Sequence, residues 1–496
     1  MSQPQPIPAR TLPDKAAVAR ALRQFLPPAG VLTDEEDLRP YECDGLTAYR
    51  KLPWIVVLPD TIEQASRVLR LCDERNIPVV ARGAGTGLSG GALPLEDGVL
   101  LSLSKFTRIL EIDPENRTAT LEPGVRNLAI TEAAAPLGLY YAPDPSSQIA
   151  CSIGGNVAEN AGGVHCLKYG LTVHNVLGLK FLTMDGELIT LGGKTLDSPG
   201  YDLLALLTGS EGMLGVIVEI TVKLLPKPEY AQVVLAAFDS VEKAGEAVAT
   251  VIASGFIPSG LEMMDNFAIR AVNEYARAGY PNEAAAILLC ELDGTAEEVA
   301  EGIVQVRELL LGRGATEVRA SRDEAERLKF WAGRKNAFPA VGRIARDYYC
   351  MDGTIPRKHI GQVLTAIGKL SQEYGLPVAN VFHAGDGNLH PLILYDANQP
   401  GQLARAEEFG GRILELCVAV GGTITGEHGV GVEKINQMCV QFTQEELAQF
   451  HALKAAFDPK GLLNPGKAVP KPARCAEFGR MHVHGGKLKF PEMERF

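Results

Sequence analysis

The run Arg82-Gly-Ala-Gly-Thr-Gly-Leu-Ser-Gly-Gly91 follows directly on the apolar stretch Ile77 to Ala81. Five glycines in nine positions after a strand let successive backbone amides face one concavity, a shape that suits a bound pyrophosphate. Gly85, Gly87 and Gly90 also satisfy the G-x-G-x-x-G spacing of dinucleotide-binding βαβ units, but those units require a helix to open at the third glycine. Here Pro94 and the turn Asp97-Gly98 follow, and then the strand-like Val99 to Leu103. No helix fits, so the loop belongs to a different α/β architecture.

Two more glycine clusters lie downstream. Ser152 to Gly163 comes shortly after Pro143-Asp-Pro-Ser-Ser147, and Gly209-Ser-Glu-Gly-Met-Leu-Gly215 precedes the alternating strand Val216 to Leu225. One such cluster is an ordinary tight turn. Three between Arg82 and Gly215 imply a long phosphate-bearing cofactor threaded between two subdomains. The flanking pattern is α/β: a helix from Asp14 to Phe25, a strand from Trp54 to Leu58, and a helix begun by the capping box Thr61-Ile-Glu-Gln64. In that helix Ile62, Ala65, Val68, Leu69 and Cys72 share one face. Further on, strand-like Gln232 to Ala237, Leu261 to Met264 and Ala286 to Leu292 alternate with helical Val241 to Ala253 and Ala296 to Leu311, a pattern close to a ferredoxin-like α/β unit.

A second kind of chemistry appears in two late segments. His383 and His390 sit in His-Ala-Gly-Asp-Gly-Asn-Leu-His, and Glu427 and His428 in Gly-Glu-His-Gly-Val-Gly. Two imidazoles and a carboxylate suit a divalent zinc, manganese or iron ion and leave open positions for a substrate. The amphipathic helix Leu403 to Val420, stopped by Gly421-Gly422, separates the two segments, so they must meet in space at its ends.

Composition excludes several classes. A net charge of -12 over 496 residues gives no basic face for nucleic acid. No run of eighteen apolar residues occurs and the start lacks a charged region followed by an apolar one, so a soluble, cytoplasmic protein without a membrane span is expected. Nine cysteines without a CxxC pair fit a reduced compartment and supply no iron-sulfur framework.

Arg82-Gly-Ala-Gly-Thr86, Ile153 to Gly163 and Gly209 to Ile217 resemble the FAD-binding domain of the vanillyl-alcohol oxidase type. The His383 to His390 and Glu427-His428 motifs, with Asp458-Pro-Lys-Gly-Leu-Leu-Asn-Pro-Gly-Lys467, are similar to those of the D-2-hydroxy-acid dehydrogenase branch, which includes D-lactate, D-2-hydroxyglutarate and glycolate dehydrogenases. Within it, Asp347 to Pro356 and the tail Cys475 to His484 look most like the flavin subunits of bacterial glycolate dehydrogenases. The resemblance implies an α/β (α+β) fold, with a two-subdomain FAD-binding domain and a ferredoxin-like cap. The expected divisions are an N-terminal helical segment 1–50, the FAD-binding domain 51–227, a cap bearing substrate and metal sites 228–440, a segment 441–470 returning to the FAD domain, and a tail 471–496.

The resemblance also implies roles. FAD contacts fall at Arg82, Gly83, Ala84, Gly85, Thr86 and Gly87, at Asp144 and Ser147, at Gly154, Gly155, Asn156, Ala158, Asn160 and Gly162, at Glu211, Gly212, Gly215 and Ile217, and at Asn464. His383, His390 and Glu427 match metal ligands, His428 the catalytic base, and Arg334, three residues after Trp331, the arginine that pairs with the substrate carboxylate. The implied reaction is oxidation of glycolate or D-lactate to glyoxylate or pyruvate, with hydride passing to flavin N5. A D-lactate or other D-2-hydroxy-acid dehydrogenase acting alone is the alternative, followed by a non-catalytic FAD-binding subunit. Implied partners are a second flavin-domain subunit and an iron-sulfur subunit that pass electrons to the respiratory chain and hold the protein at the cytoplasmic face of the inner membrane. The tail residues Phe478, Met481, Leu488, Phe490 and Phe496 are the expected docking element.

Two departures refine this. Where many superfamily members carry a flavin-linking histidine, this loop has Thr86, so FAD is expected to be noncovalent. Cys350 and Leu392 stand where the hydroxyglutarate enzymes have a lysine and a polar residue, which points to a small monocarboxylate.

Overall fold

The computed structural model describes residues 12–196 and 199–471; the expected docking tail lies outside the described residues. The first sheet runs in the order Val31–Leu32, Ile55–Val57, Val99–Ser102, Val79–Arg82, and its last three strands are parallel. Strands of a parallel sheet covered on both faces read as continuous apolar runs, which is how Ile55–Val57 and Val99–Leu101 read. The helix Ile62–Glu74 packs Ala65, Val68, Leu69 and Cys72 into this core. Half of the expected capping box forms: the Thr61 hydroxyl accepts from Gln64 N at 3.2 Å, but Gln64 Oε1 reaches one residue further back and accepts from Asp60 N at 2.7 Å instead of Thr61 N. Between Val79–Arg82 and Val99–Ser102 there is the glycine loop and no helix. Residues from the far end of the chain complete the sheet. Val79 N donates to Leu462 O at 2.8 Å and Asn464 N to Val79 O at 2.7 Å.

A second, five-stranded antiparallel sheet follows, in the order Ile109–Asp113, Thr118–Leu121, Val216–Lys223, Val176–Leu182, Leu188–Gly192. The second glycine cluster is not a loop throughout: Ile153–Glu159 is helical and ends at Asn160 with φ 55°. Its glycines allow close approach, since a Cβ at Gly154 would lie 2.9 Å from the Pro123 carbonyl oxygen.

The remaining residues build a seven-stranded antiparallel sheet, ordered Glu317–Ala320, Tyr230–Phe238, Ala286–Gly294, Gly260–Asp265, Val378–Phe382, Pro391–Tyr395, Asp347–Cys350. The strands and helices read from the pattern are present, and three later strands widen the sheet beyond the simple ferredoxin-like unit. Alternate residues face opposite ways. Val234, Ala236 and Phe238 pack with the helices Val241–Ala253, Ala296–Gly312, Ile360–Tyr374 and Gln402–Ala419. Val233, Leu235 and Ala237 pack with the helices Asn266–Ala276 and Glu324–Lys335.

Two carboxylates, Glu262 and Glu291, are buried on this second face. An unpaired charge there would be prohibitively costly, and the helix Glu324–Lys335 supplies the partners from positions 327, 331 and 334, one helical face. Glu291 Oε2 accepts from Arg327 Nη1 at 2.6 Å and Trp331 Nε1 at 2.5 Å, while Oε1 lies 3.0 Å from His165 Nε2. His165 Nδ1 reaches Asp144 at 2.8 Å, so this histidine ties the glycine-cluster half of the chain to the seven-stranded sheet. Burial raises the Glu291 carboxyl, but the hydrogen bond and charge of His165, with Arg327, outweigh it and hold the group at about 2. Glu291→Ala is expected to destabilise the protein by about 2–3 kcal/mol, because it leaves the buried Trp331 Nε1 without its acceptor and removes one of the two anions that each of Arg327 and His165 holds. Since the folded value lies below the ordinary ~4.3, Glu291 contributes stability above that value, and the contribution is lost as pH falls toward 2. Urea midpoints measured across that acid range check both statements. A variant within 1 kcal/mol of the parent would refute them.

Candidate active site

A cavity of about 570 Å³ runs between the flavin half and the cap. Arg82, Gly83, Ala84, Gly85, Thr86 and Gly87 line it, as do Ser147, Gly154, Gly155, Asn156, Ala158, Glu211, Gly212, Gly215 and Ile217. Its cap-side wall carries Phe338, His390, Glu427 and His428. All three glycine clusters and both histidine segments thus open onto one space. Gly87 shows why glycine is used: a Cβ there would meet nothing within 4 Å, so any side chain would project into the cavity. Gly85 is different, with φ 72° and the Arg82 guanidinium against its Cβ position.

Four expected cofactor residues stand behind the wall and brace it. Asp144 accepts from His165 N at 3.1 Å, and Asn160 Oδ1 accepts from Val173 N at 2.9 Å. Gly162 N donates to Glu427 Oε2 at 2.9 Å. Asn464 Nδ2 donates to Gly91 O at 3.0 Å and Glu211 O at 2.7 Å. Glu211 in turn accepts from Val430 N and Gly431 N, both at 2.7 Å, and so joins the third glycine cluster to the Glu427 segment.

His383 ends the strand Val378–Phe382, and a tight turn returns the chain to His390. Gly387 makes that turn, at φ 76° with its Cβ position against the Ile355 carbonyl. Glu427 Oε1 lies 3.3 Å from His383 Nε2 and 3.1 Å from His390 Nε2. The ligand atoms of the three all lie within 4.8 Å of one another. His390 Nε2 is buried and has no hydrogen-bond partner despite that proximity. An orphaned imidazole nitrogen converging with a second imidazole and a carboxylate is a donor set that fits a divalent cation. Burial opposes the charge on Glu427, yet the two imidazoles facing it hold the carboxyl well below its ordinary range.

Sequence reading missed Asp352, which organises the second segment. It accepts from Gly426 N at 2.9 Å, His428 N at 2.7 Å, Thr425 Oγ1 at 2.6 Å and the buried Lys434 Nζ at 3.3 Å. Asp352, His390 and His428 also bring ligand atoms within 4.8 Å, but Lys434 already compensates this carboxylate. The His383, His390 and Glu427 group is therefore the better cation site. His428 stacks on His390, with centroids 5.0 Å apart at 7°. Burial lowers the His428 imidazole to about 4, the charges of His390 and Lys434 assisting against the pull of Asp352, so it is neutral near pH 7.

Arg334 is 2% exposed and does not line the cavity; the adjoining Lys335 and Asn336 do. Its Nε donates to Glu262 Oε2 at 2.7 Å, and its Nη2 is buried without a partner. Cys350 and Leu392 pair across neighbouring strands within the buried apolar layer.

Known proteins place this arrangement. The FAD binding domain family matches residues 53–192, and the family of FAD linked oxidases, C-terminal domain, matches 227–468. p-Cresol methylhydroxylase has the same fold, with TM-score 0.76 at 18% identity over 92% of this chain and 97% of that one. Alkyldihydroxyacetonephosphate synthase aligns with TM-score 0.72 at 17% identity over 93% and 87%. Fold and site together define a vanillyl-alcohol oxidase-type flavoprotein. The glycolate oxidase subunit GlcD of Escherichia coli (strain K12) is 66% identical over 97% of each chain, and that of Bacillus subtilis (strain 168) 39% over 88% of this chain and 93% of its own. A D-lactate dehydrogenase of Archaeoglobus fulgidus is 35% identical over 84% and 92%. The chain belongs to the GlcD family of FAD-linked oxidases, oxidoreductases of hydroxy acids.

Proposed function

We propose that the protein oxidises a small 2-hydroxy acid, glycolate and also D-lactate, to glyoxylate or pyruvate. The observation that carries this reading is that His390, Glu427 and His428 line the glycine-lined cavity, with the buried His383 grouped against His390 and Glu427. When bound, FAD supplies a two-electron acceptor for the hydrogen on the substrate's C2, and a divalent ion supplies a Lewis acid for its hydroxyl. The residues do the rest. The glycine clusters leave room for the cofactor's phosphates, and His383, His390 and Glu427 would hold the ion. Arg334, next in sequence to the cavity-lining Lys335 and Asn336, would pair with the substrate carboxylate, and its buried Nη2 has no other acceptor among the described residues. Asp352 anchors the backbone of His428 and faces its Nδ1 at 3.9 Å, which leaves Nε2 to take the hydroxyl proton. Phe338, edge-on to His390 at 6.4 Å, presents an apolar surface that disfavours a second carboxylate. In this reading residues 51–227 and 441–470 serve the cofactor and 228–440 the substrate and metal.

Electrons then pass to partner subunits, a second flavin-domain chain and an iron-sulfur chain. Support comes from the relatives, which are subunits by name. Among the described residues no helix is long and apolar enough to cross a membrane, so any attachment to the inner membrane would run through those partners.

Anaerobic titration with a panel of 2-hydroxy acids tests the reading. Glycolate and D-lactate should bleach the flavin bands and D-2-hydroxyglutarate should not; unchanged bands with every acid would overturn it. The flavin is expected to be noncovalent, because Thr86 offers no ring nitrogen for a flavin link. Acid precipitation should leave all colour in the supernatant, and a yellow pellet would contradict this. Gly87→Phe is expected to empty the site without unfolding the chain, a result read as lost flavin absorbance at an unchanged circular dichroism spectrum.

A further inference from the structure

We infer that Glu262 is a positioning residue which sets the metal-binding histidine and the substrate-binding arginine together, using a different carboxylate oxygen for each. The inference rests on the roles proposed above for His383 and Arg334. Glu262 lies in the strand Gly260–Asp265, 1% exposed, on the sheet face covered by the helix Glu324–Lys335. Oε1 is 2.7 Å from His383 Nδ1 and Oε2 accepts from Arg334 Nε at 2.7 Å. No other residue touches both groups through hydrogen bonds among those described.

Each contact has a chemical consequence. A carboxylate facing Nδ1 fixes the proton there and leaves Nε2 with its lone pair toward Glu427 and His390, which is how outer carboxylates orient metal-bound histidines. Gripping the guanidinium at Nε holds its plane and leaves Nη2 unpaired and buried. A buried unpaired donor is costly, so its retention points to a ligand that accepts from it. Because one rigid group makes both contacts, a shift in either partner moves the other. Metal position and substrate-carboxylate position are thereby fixed relative to one another, the alignment a 2-hydroxy acid needs when its hydroxyl and carboxylate engage different groups.

Glu262→Gln separates this from a merely structural role. The variant is nearly isosteric, but an amide has one accepting oxygen and one donating nitrogen, so it cannot accept from both partners. The full-length flavoprotein is used, with Zn²⁺ or Mn²⁺ as probe and a chromophoric chelator as competitor. Glu262→Gln should weaken the ion's affinity by about 10- to 100-fold and also raise KM for glycolate, while flavin occupancy stays at the parent level. His383→Ala is the control that removes the ion directly. If the parent protein binds neither ion, the proposed metal site fails and this inference with it. If the parent binds an ion and Glu262→Gln matches it in both ion affinity and KM, the inference alone is overturned. Loss of flavin together with ion affinity would also overturn it, by showing that Glu262 acts on the fold at large.

Discussion

Replacing Glu427 with alanine is expected to reduce turnover to the detection limit, and chelation of the unaltered protein to do the same. Glu427 is the only anionic member of its group, with Oε1 3.3 Å and 3.1 Å from the Nε2 atoms of His383 and His390. Its removal leaves two imidazoles and no counter-charge for a divalent ion. It also frees Gly162 N, which Glu427 Oε2 now accepts at 2.9 Å. Elemental analysis of the purified variant should show no bound ion while the flavin spectrum persists, because the glycine clusters proposed to hold the cofactor are other residues. His383→Ala and His390→Ala should behave alike. Bound metal and parental activity in Glu427→Ala would remove the group from the mechanism.

His428→Ala is expected to separate the ion from the proton. The side chain is not in the His383, His390 and Glu427 group, so metal and flavin should remain. Loss of a general base lowers rate by about 10²- to 10⁴-fold. The fall should appear in kcat and in the single-turnover rate of flavin bleaching, with KM little changed. His428→Gln, which keeps a polar group at the same place but accepts no proton, should be no better. A variant that bleaches at the parental rate would assign the proton to another acceptor.

The local features of this chain were legible because their causes are local. Pro94 and Asp97-Gly98 stop any helix after the glycine loop, and the observed strand Val99–Ser102 follows them directly. The two histidine segments likewise announced themselves by residue type and glycine content. Glu262 and Asp352 did not, since each acts only through residues distant in sequence. Glu262 nevertheless left a trace, as a charge set between the apolar Leu261 and Met263. Asp352 lies in the Asp347 to Pro356 motif, but its partners Thr425, His428 and Lys434 are 73 to 82 positions away in sequence. Ile153–Glu159 escaped because glycine is a poor helix former, and only the approach to Pro123 explains it. Arg334 was legible, but its anchor was not: its Nε is held by Glu262, 72 positions away in sequence.

The strand pairing of Leu462 and Asn464 with Val79 bears on how the protein comes off the ribosome. Synthesis delivers all three glycine clusters early, yet the edge beside Val79 stays open until residues in the 460s emerge. Asn464 and Lys467 also donate to Gly91 O, at 3.0 Å and 2.8 Å, so the end of the first glycine loop is fastened only then. The whole cap sheet, whose last strand in sequence ends at Tyr395, is available to fold before that moment. Cofactor retention is therefore expected to wait for residues 462–467, and a chain that stops short of Leu462 is expected to carry every cavity-lining glycine and yet hold FAD weakly.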